Sequence, residues 1–108
     1  MAQYRFLVIS SPVAGHDAEY NAWYDQQHLK DVLNVPGFVA AQRFKVTGDS
    51  TLPGQYVAIY EMETDDPAAA LAELGARAGQ AAMPISGALD VARVTVALLA
   101  PITGRVPA

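Results

Sequence analysis

Asp25 and His28 are the two side chains of this 108-residue sequence best suited to moving a proton. They lie three apart in the run EYNAWYDQQHLKDVLNVPGFVAAQRF, Glu19–Phe44, whose first half is spaced as a helix. Residues three and four apart share a helix flank, so the carboxylate and the imidazole come within reach of each other. Tyr24 and Tyr20 follow from His28 at steps of four. Imidazole changes charge near neutral pH, and a neighbouring carboxylate would hold its tautomer and favour its protonated form. The chemistry implied is general acid/base work. Acyl transfer is not indicated, because neither Ser10 nor Ser11 sits in a nucleophile elbow and the chain has no cysteine. Two readings of the pair stay open. One is an Asp–His contact at a helix edge half open to water. The other is a polar group on the wall of a ligand cavity, with His28 as acid/base.

The elements that must hold this pair follow from the pattern around it. At about 100° per residue, Ala22, Leu29, Val32 and Leu33 form the core-facing stripe of a helix, and Asp25 falls inside that stripe. A charge in an apolar wall must be paired, solvated in a pocket, or functional. Asp17 is the expected N-cap, and the helix is expected to run to Leu33. There Asn34 and the following Val-Pro-Gly end it, since Pro36 disfavours helical geometry at Val35 and Gly37 supplies a turn. Tyr4–Ser10 reads as a first strand that is apolar on both faces. Phe38–Val46 reads as a second, with Phe38, Ala40, Gln42, Phe44 and Val46 on one face and Val39, Ala41, Arg43 and Lys45 on the other. Gln42 interrupts an apolar face and needs a partner there, which a ligand atom or water would supply. Arg43 is expected to pair with an acid across the sheet or a dimer.

Thr47–Gly54 is dense in turn formers and leads to a third strand, Gln55–Glu61, so these two strands pair antiparallel. Asp66 and Pro67 open a second helix with Leu71, Leu74 and Ala78 as its buried edge. Ala81–Leu89 is irregular, and Asp90–Leu99 is the fourth strand. The order β-α-β, hairpin, β-α-β is the split-βαβ, ferredoxin-like arrangement of the α+β class. It predicts a four-stranded antiparallel sheet with both helices on one face. Residues 1–100 are read as one domain and 101–108 as a tail.

Strands one, three and four are apolar on both faces, yet two helices cover only one. The simplest cover for the other is a second copy, a homodimer whose two sheets face each other. A composition of 52% hydrophobic and 17% charged residues points the same way. The net charge is −4 and the seven basic residues are scattered, so nucleic acid is not an expected partner. No apolar run is long enough to span a bilayer, and the N-terminus reads as a strand and not a signal peptide; a cytoplasmic location is expected. His16, in a Gly-containing loop, is expected at the surface. No close-spaced ligand motif indicates a metal.

With W-Y-D-x-x-H at Trp23–His28, V-P-G-F at Val35–Phe38, A-x-R-F at Ala41–Phe44 and YEMETDDPAAALAEL at Tyr60–Leu74, nearly the whole chain resembles the dimeric α/β-barrel proteins. Within them it is similar to the EthD-like and related small bacterial proteins. The resemblance implies a ferredoxin-like fold, a sheet-to-sheet homodimer and a hydrophobic pocket between sheet and helices. Relatives include cofactor-independent monooxygenases, polyketide cyclases, lactone isomerases and stress-related proteins. The pocket-lining histidine of EthD-like and isomerase relatives falls by motif position on His28, with Asp25 and Tyr24 beside it. No haem-ligand pattern carries over, and no cofactor is expected. The expectation is an enzyme acting on an aromatic or polyketide-like metabolite. Its catalytic residues would be His28, Asp25 and Tyr24, and Tyr20, Gln42, Phe44, Tyr60 and Phe6 would line its pocket. A non-catalytic binding protein and a structural or stress-associated dimer are the alternatives.

Overall fold

Four antiparallel strands carry the molecule: β1 (Gln3–Ser10), β2 (Phe38–Lys45), β3 (Tyr56–Glu63) and β4 (Thr95–Leu99), hydrogen-bonded in the order β2-β3-β1-β4. The computed structural model describes residues 1–108. The first crossover is helical in three parts: α1 (Asp17–Trp23), a π-helical turn (Tyr24–His28) and α2 (Leu29–Leu33). The second contains α3 (Pro67–Arg77). This is the expected ferredoxin-like arrangement.

One face of the sheet is packed and the other is open. Side chains alternate along a strand, and the pairing Phe6↔Tyr60 and Val8↔Ala58 places Phe6, Ala58, Tyr60 and Met62 together in the core. Tyr20, Tyr24, Val32 and Val35 descend onto them from the first crossover, and Ala70 from α3. The remaining strand positions, among them Leu7, Val57 and Ile59, lie half-buried on the opposite face. Arg5 and Glu61 pair there at 3.6 Å. Both are more than half exposed, so the pair adds little to stability.

The expected facing of β2 is corrected by a β-bulge. Phe38 pairs with Met62, but the next pair is Ala40↔Glu61, so Val39 is an extra residue and 52% exposed. Strand side chains alternate with a period of two, so one extra residue exchanges the faces of everything after it. Phe38 stays in the core, while Ala41 and Arg43 turn toward the helices, opposite Tyr60 and Ala58. Gln42 and Phe44 turn to the open face, where Phe44 is 44% exposed. They do not line the helix–sheet layer.

Local signals at the element ends behave as their chemistry dictates. Gly37 has φ 101°, and a Cβ there would sit 3.3 Å from that of Ala70, so the close approach of β2 to α3 needs glycine. The Asp66 carboxylate accepts from the Ala69 N–H at 3.0 Å, with Pro67 at the first helical position. Three expectations need adjustment. Asp17 is the first helical residue and not its cap, which falls on His16 and makes no side-chain bond. Ala78 lies just past α3 in extended conformation and is exposed, so the buried edge is Ala70 with Leu71 and Leu74 partly buried. The last strand is only Thr95–Leu99, because Val91–Arg93 form a 3₁₀ turn.

Inserting one alanine between Ala40 and Ala41 should turn Ala41 and Arg43 out of the layer, costing more than about 3 kcal/mol. Val39→Ala, which alters only an exposed side chain, should stay within about 0.5 kcal/mol. Denaturant unfolding of the two variants distinguishes them, and equal stabilities would contradict the assigned register.

Candidate functional site

The site is the layer between the first crossover and the sheet, and its centre is Tyr24, which is 3% exposed. Tyr20, one helical turn earlier and fully buried, meets it edge-on at 5.4 Å between ring centroids. The Tyr20 hydroxyl shares a 2.6 Å hydrogen bond with Ser10 Oγ at the end of β1. Below lie Phe6, Phe38 and Tyr60, with Phe38 meeting Tyr60 edge-on at 6.0 Å.

Arg43 enters this layer from β2. Its guanidinium carbon stands 4.3 Å from the centre of the Tyr24 ring, 5.4 Å from Tyr20 and 5.5 Å from Tyr56. Its Nη1 donates to Asp25 Oδ1 at 2.6 Å and its Nη2 to Asn21 Oδ1 at 2.8 Å. Asn21 Nδ2 in turn donates to the Tyr56 hydroxyl at 3.3 Å. The cation, the aromatic faces and the two helix side chains thus form one connected unit, with cation–π attraction strengthened where water is excluded.

The expected Asp25–His28 pair is not formed. Asp25, 59% exposed in its side chain, lies outside the apolar stripe and binds Arg43. His28 stacks on Trp23 at 4.5 Å and 25° and meets the edge of Tyr24 at 5.1 Å. The cause is the π turn. Its i→i+5 closure holds roughly one residue more than an α turn and shifts the facing of the residues beyond it. A constant step of 100° therefore misplaces these residues relative to one another. Trp23 is fixed by donating from Nε1 to the Pro84 carbonyl at 3.0 Å. His16 contacts Glu19 at 3.2 Å on the exposed side of α1, apart from this cluster.

Burial controls the ionisation of the layer. It pushes the Tyr24 phenol up to about 12, raises Tyr20 against the hydrogen bond from Ser10, and raises Tyr60 as well. It pushes His28 down to about 4, with the negative charge of Asp31 opposing. At neutral pH the layer therefore holds neutral phenols, a neutral imidazole and one guanidinium. Three of its buried polar atoms have no hydrogen-bond partner: His28 Nδ1, Arg43 Nε and Tyr60 Oη. Unpartnered atoms of this kind are the exception among buried polar groups.

Of the expected site residues, His28, Tyr24, Tyr20, Tyr60 and Phe6 share this layer, and Asp25 sits at its rim. Gln42 and Phe44 do not belong to it. Arg43 pairs with an acid as expected, but with Asp25 and inside the layer, where a register including the bulge would have placed it; Asn21 is the residue that sequence reasoning missed. Two cavities lie elsewhere. One of about 350 Å³ is bordered by Pro36, Gly37, Glu63, Asp66 and Glu73. The other, about 670 Å³, is bordered by Arg5, Glu61, Glu63, Leu99 and Arg105. Neither is lined by His28 or Arg43. No helix is long and apolar enough to cross a membrane.

No protein-family model and no curated protein matches the sequence. Solved structures do match it in fold. The haem degrader MhuD of Mycobacterium tuberculosis, solved with two haems in its active site, superposes with TM-score 0.66 at 16% identity, over 94% of this chain and 98% of that one. SnoaB, a cofactor-independent oxygenase of Streptomyces nogalater, gives 0.57 at 18% identity over 96% and 97%. An ethyl tert-butyl ether d (EthD) family protein of Bacillus halodurans gives 0.55 at 10% identity over 93% and 99%. What the chain shares with these proteins is the fold, an α+β protomer with a four-stranded antiparallel sheet and helical crossovers.

An unfolded histidine takes up its proton near pH 6.5, whereas half-buried His28 stays neutral down to about pH 4. Between those values the unfolded state binds more protons, so stability falls as pH is lowered through this window, by on the order of 2–3 kcal/mol. His28→Phe keeps the stack on Trp23 and removes the titration. Unfolding midpoints at pH 7, 5.5 and 4.5 should therefore decline less in the variant than in the wild type. Parallel declines would contradict the buried, neutral state.

Proposed function

We propose that this protein is a small cofactor-independent enzyme acting on an aromatic or polyketide-like metabolite, with His28 as the group that moves a proton. The observation that carries this reading is the half-buried, neutral imidazole whose inward Nδ1 has no protein partner, set against Tyr24. A neutral imidazole has a lone pair free to accept a proton from an acidic O–H or C–H beside a carbonyl. That bond breaks, the proton passes to the ring nitrogen, and the electron pair stays on the substrate as a phenolate or enolate. The new anion stabilises the imidazolium, as the charge of Asp31 already does in part. Tyr24, held neutral, serves as a hydrogen-bonding wall and not as a nucleophile. Asp25 acts through Arg43 as a positioning residue.

Return of the proton at another atom would give isomerisation or cyclisation. Reaction of the electron-rich anion with dioxygen as oxidant would give oxygenation. MhuD and SnoaB are a haem degrader and an oxygenase, which favours the oxygen-dependent branch. The reading includes a homodimer, in which the open sheet face with Leu7, Val57, Ile59, Phe44 and Leu99 meets its copy.

The dense packing of Tyr20, Tyr24 and Trp23 around His28 favours one second reading, a dimer whose core is filled and turns nothing over. His28→Ala decides between them. The enzyme reading expects turnover of polyphenolic or polyketide-like substrates to fall at least about 100-fold while the protein still sediments as a dimer. Turnover that survives in His28→Ala overturns the assignment. Failure of the wild type to bind any apolar aromatic probe favours the filled dimer.

A further inference from the structure

Arg43 carries five N–H donors on a planar fork, and the protein satisfies only two of its nitrogens, Nη1 through Asp25 and Nη2 through Asn21. Nε is buried with no acceptor at all. The side chain is 12% exposed and is walled by the rings of Tyr20, Tyr24 and Tyr56. Its carboxylate partner is different in kind. Asp25 uses one oxygen, lies at the rim, and is more than half exposed, so its partnership with the guanidinium is cheap to exchange. A guanidinium is made for two parallel bonds to one carboxylate, which Asp25 does not give it.

We propose that Arg43 is an anion-binding group for a planar aromatic ligand, and that Asp25 occupies it as an internal stand-in until the ligand's carboxylate or phenolate oxygen takes its place. The ring system stacks on Tyr56, the one of the three rings that is only half-buried, and the guanidinium holds the charged oxygen. Asn21 keeps the fork oriented during the exchange. The proposal rests on the reading that this layer takes an aromatic metabolite, and it narrows that class to anionic ones.

The test is equilibrium binding of 2-naphthoate and the uncharged 2-naphthamide at low salt, to the wild type, Asp25→Asn and Arg43→Lys. Asparagine retains an acceptor oxygen for Nη1 but removes the competing charge. Asp25→Asn should bind 2-naphthoate about five-fold or more tightly than the wild type, with no gain for the amide. Arg43→Lys should lose the preference for the acid. In the wild type, 2-naphthoate should also shift the side-chain ¹⁵N signal of Arg43 Nε, which the amide should leave in place. If Asp25→Asn binds 2-naphthoate no better than the wild type, or gains equally for the amide, the stand-in role is overturned. Because binding is read without turnover, a catalytically silent His28 and a failed anion site give different results.

Discussion

The guanidinium of Arg43, seated on Tyr24 and held by Asp25 and Asn21, is the contact on which the helix–sheet layer depends. It joins β2 to the first crossover at a level where both are otherwise lined by phenols. A buried cation is costly unless its donors find acceptors and its faces find aromatic or apolar surface. Here it has three tyrosine rings and two side-chain oxygens, with one nitrogen left over. Together they set the surroundings in which Tyr24 and Tyr60 lie.

That arrangement depends on two local irregularities. The bulge at Val39 turns Arg43 inward and Gln42 outward, and the π turn at Tyr24–His28 separates Asp25 from His28. Both insertions are characteristic of functional regions, where a regular element would aim its side chains wrongly. The electrostatic result is a layer in which burial holds Tyr20, Tyr24, Tyr60 and His28 neutral around the guanidinium of Arg43. Neutral phenols and a neutral imidazole beside one cation suit a site where negative charge develops on a ligand and is received by the protein.

Much of the fold is legible in the sequence. Aromatic and β-branched runs apolar on both faces at Tyr4–Ser10 and Gln55–Glu61, the stop at Val35-Pro36-Gly37 and the Asp66-Pro67 start specify βαββαβ, because each is a local steric, packing or hydrogen-bonding requirement. The site is only partly legible. His28, Tyr24 and Tyr20 lie in the first crossover and Tyr60 and Phe6 on the helix-facing side of the sheet, as the pattern places them. Gln42 and Phe44 do not, because FVAAQRF alternates acceptably in either register and a bulge leaves no compositional mark. The π turn is equally silent, since YDQQH is an ordinary helical sequence. Asp25 reads as a buried charge only when a constant helical step is carried through a turn that does not keep it.

A ¹⁵N titration of the His28 imidazole examines the sealed layer most directly. The structure predicts a ring that stays neutral through pH 5 and protonates near pH 4, with its resonances coupled through space to the Trp23 indole. Protonation at the ordinary value of 6.5 with no contact to Trp23 would place the ring in water, and the proton-transfer account would fail with it.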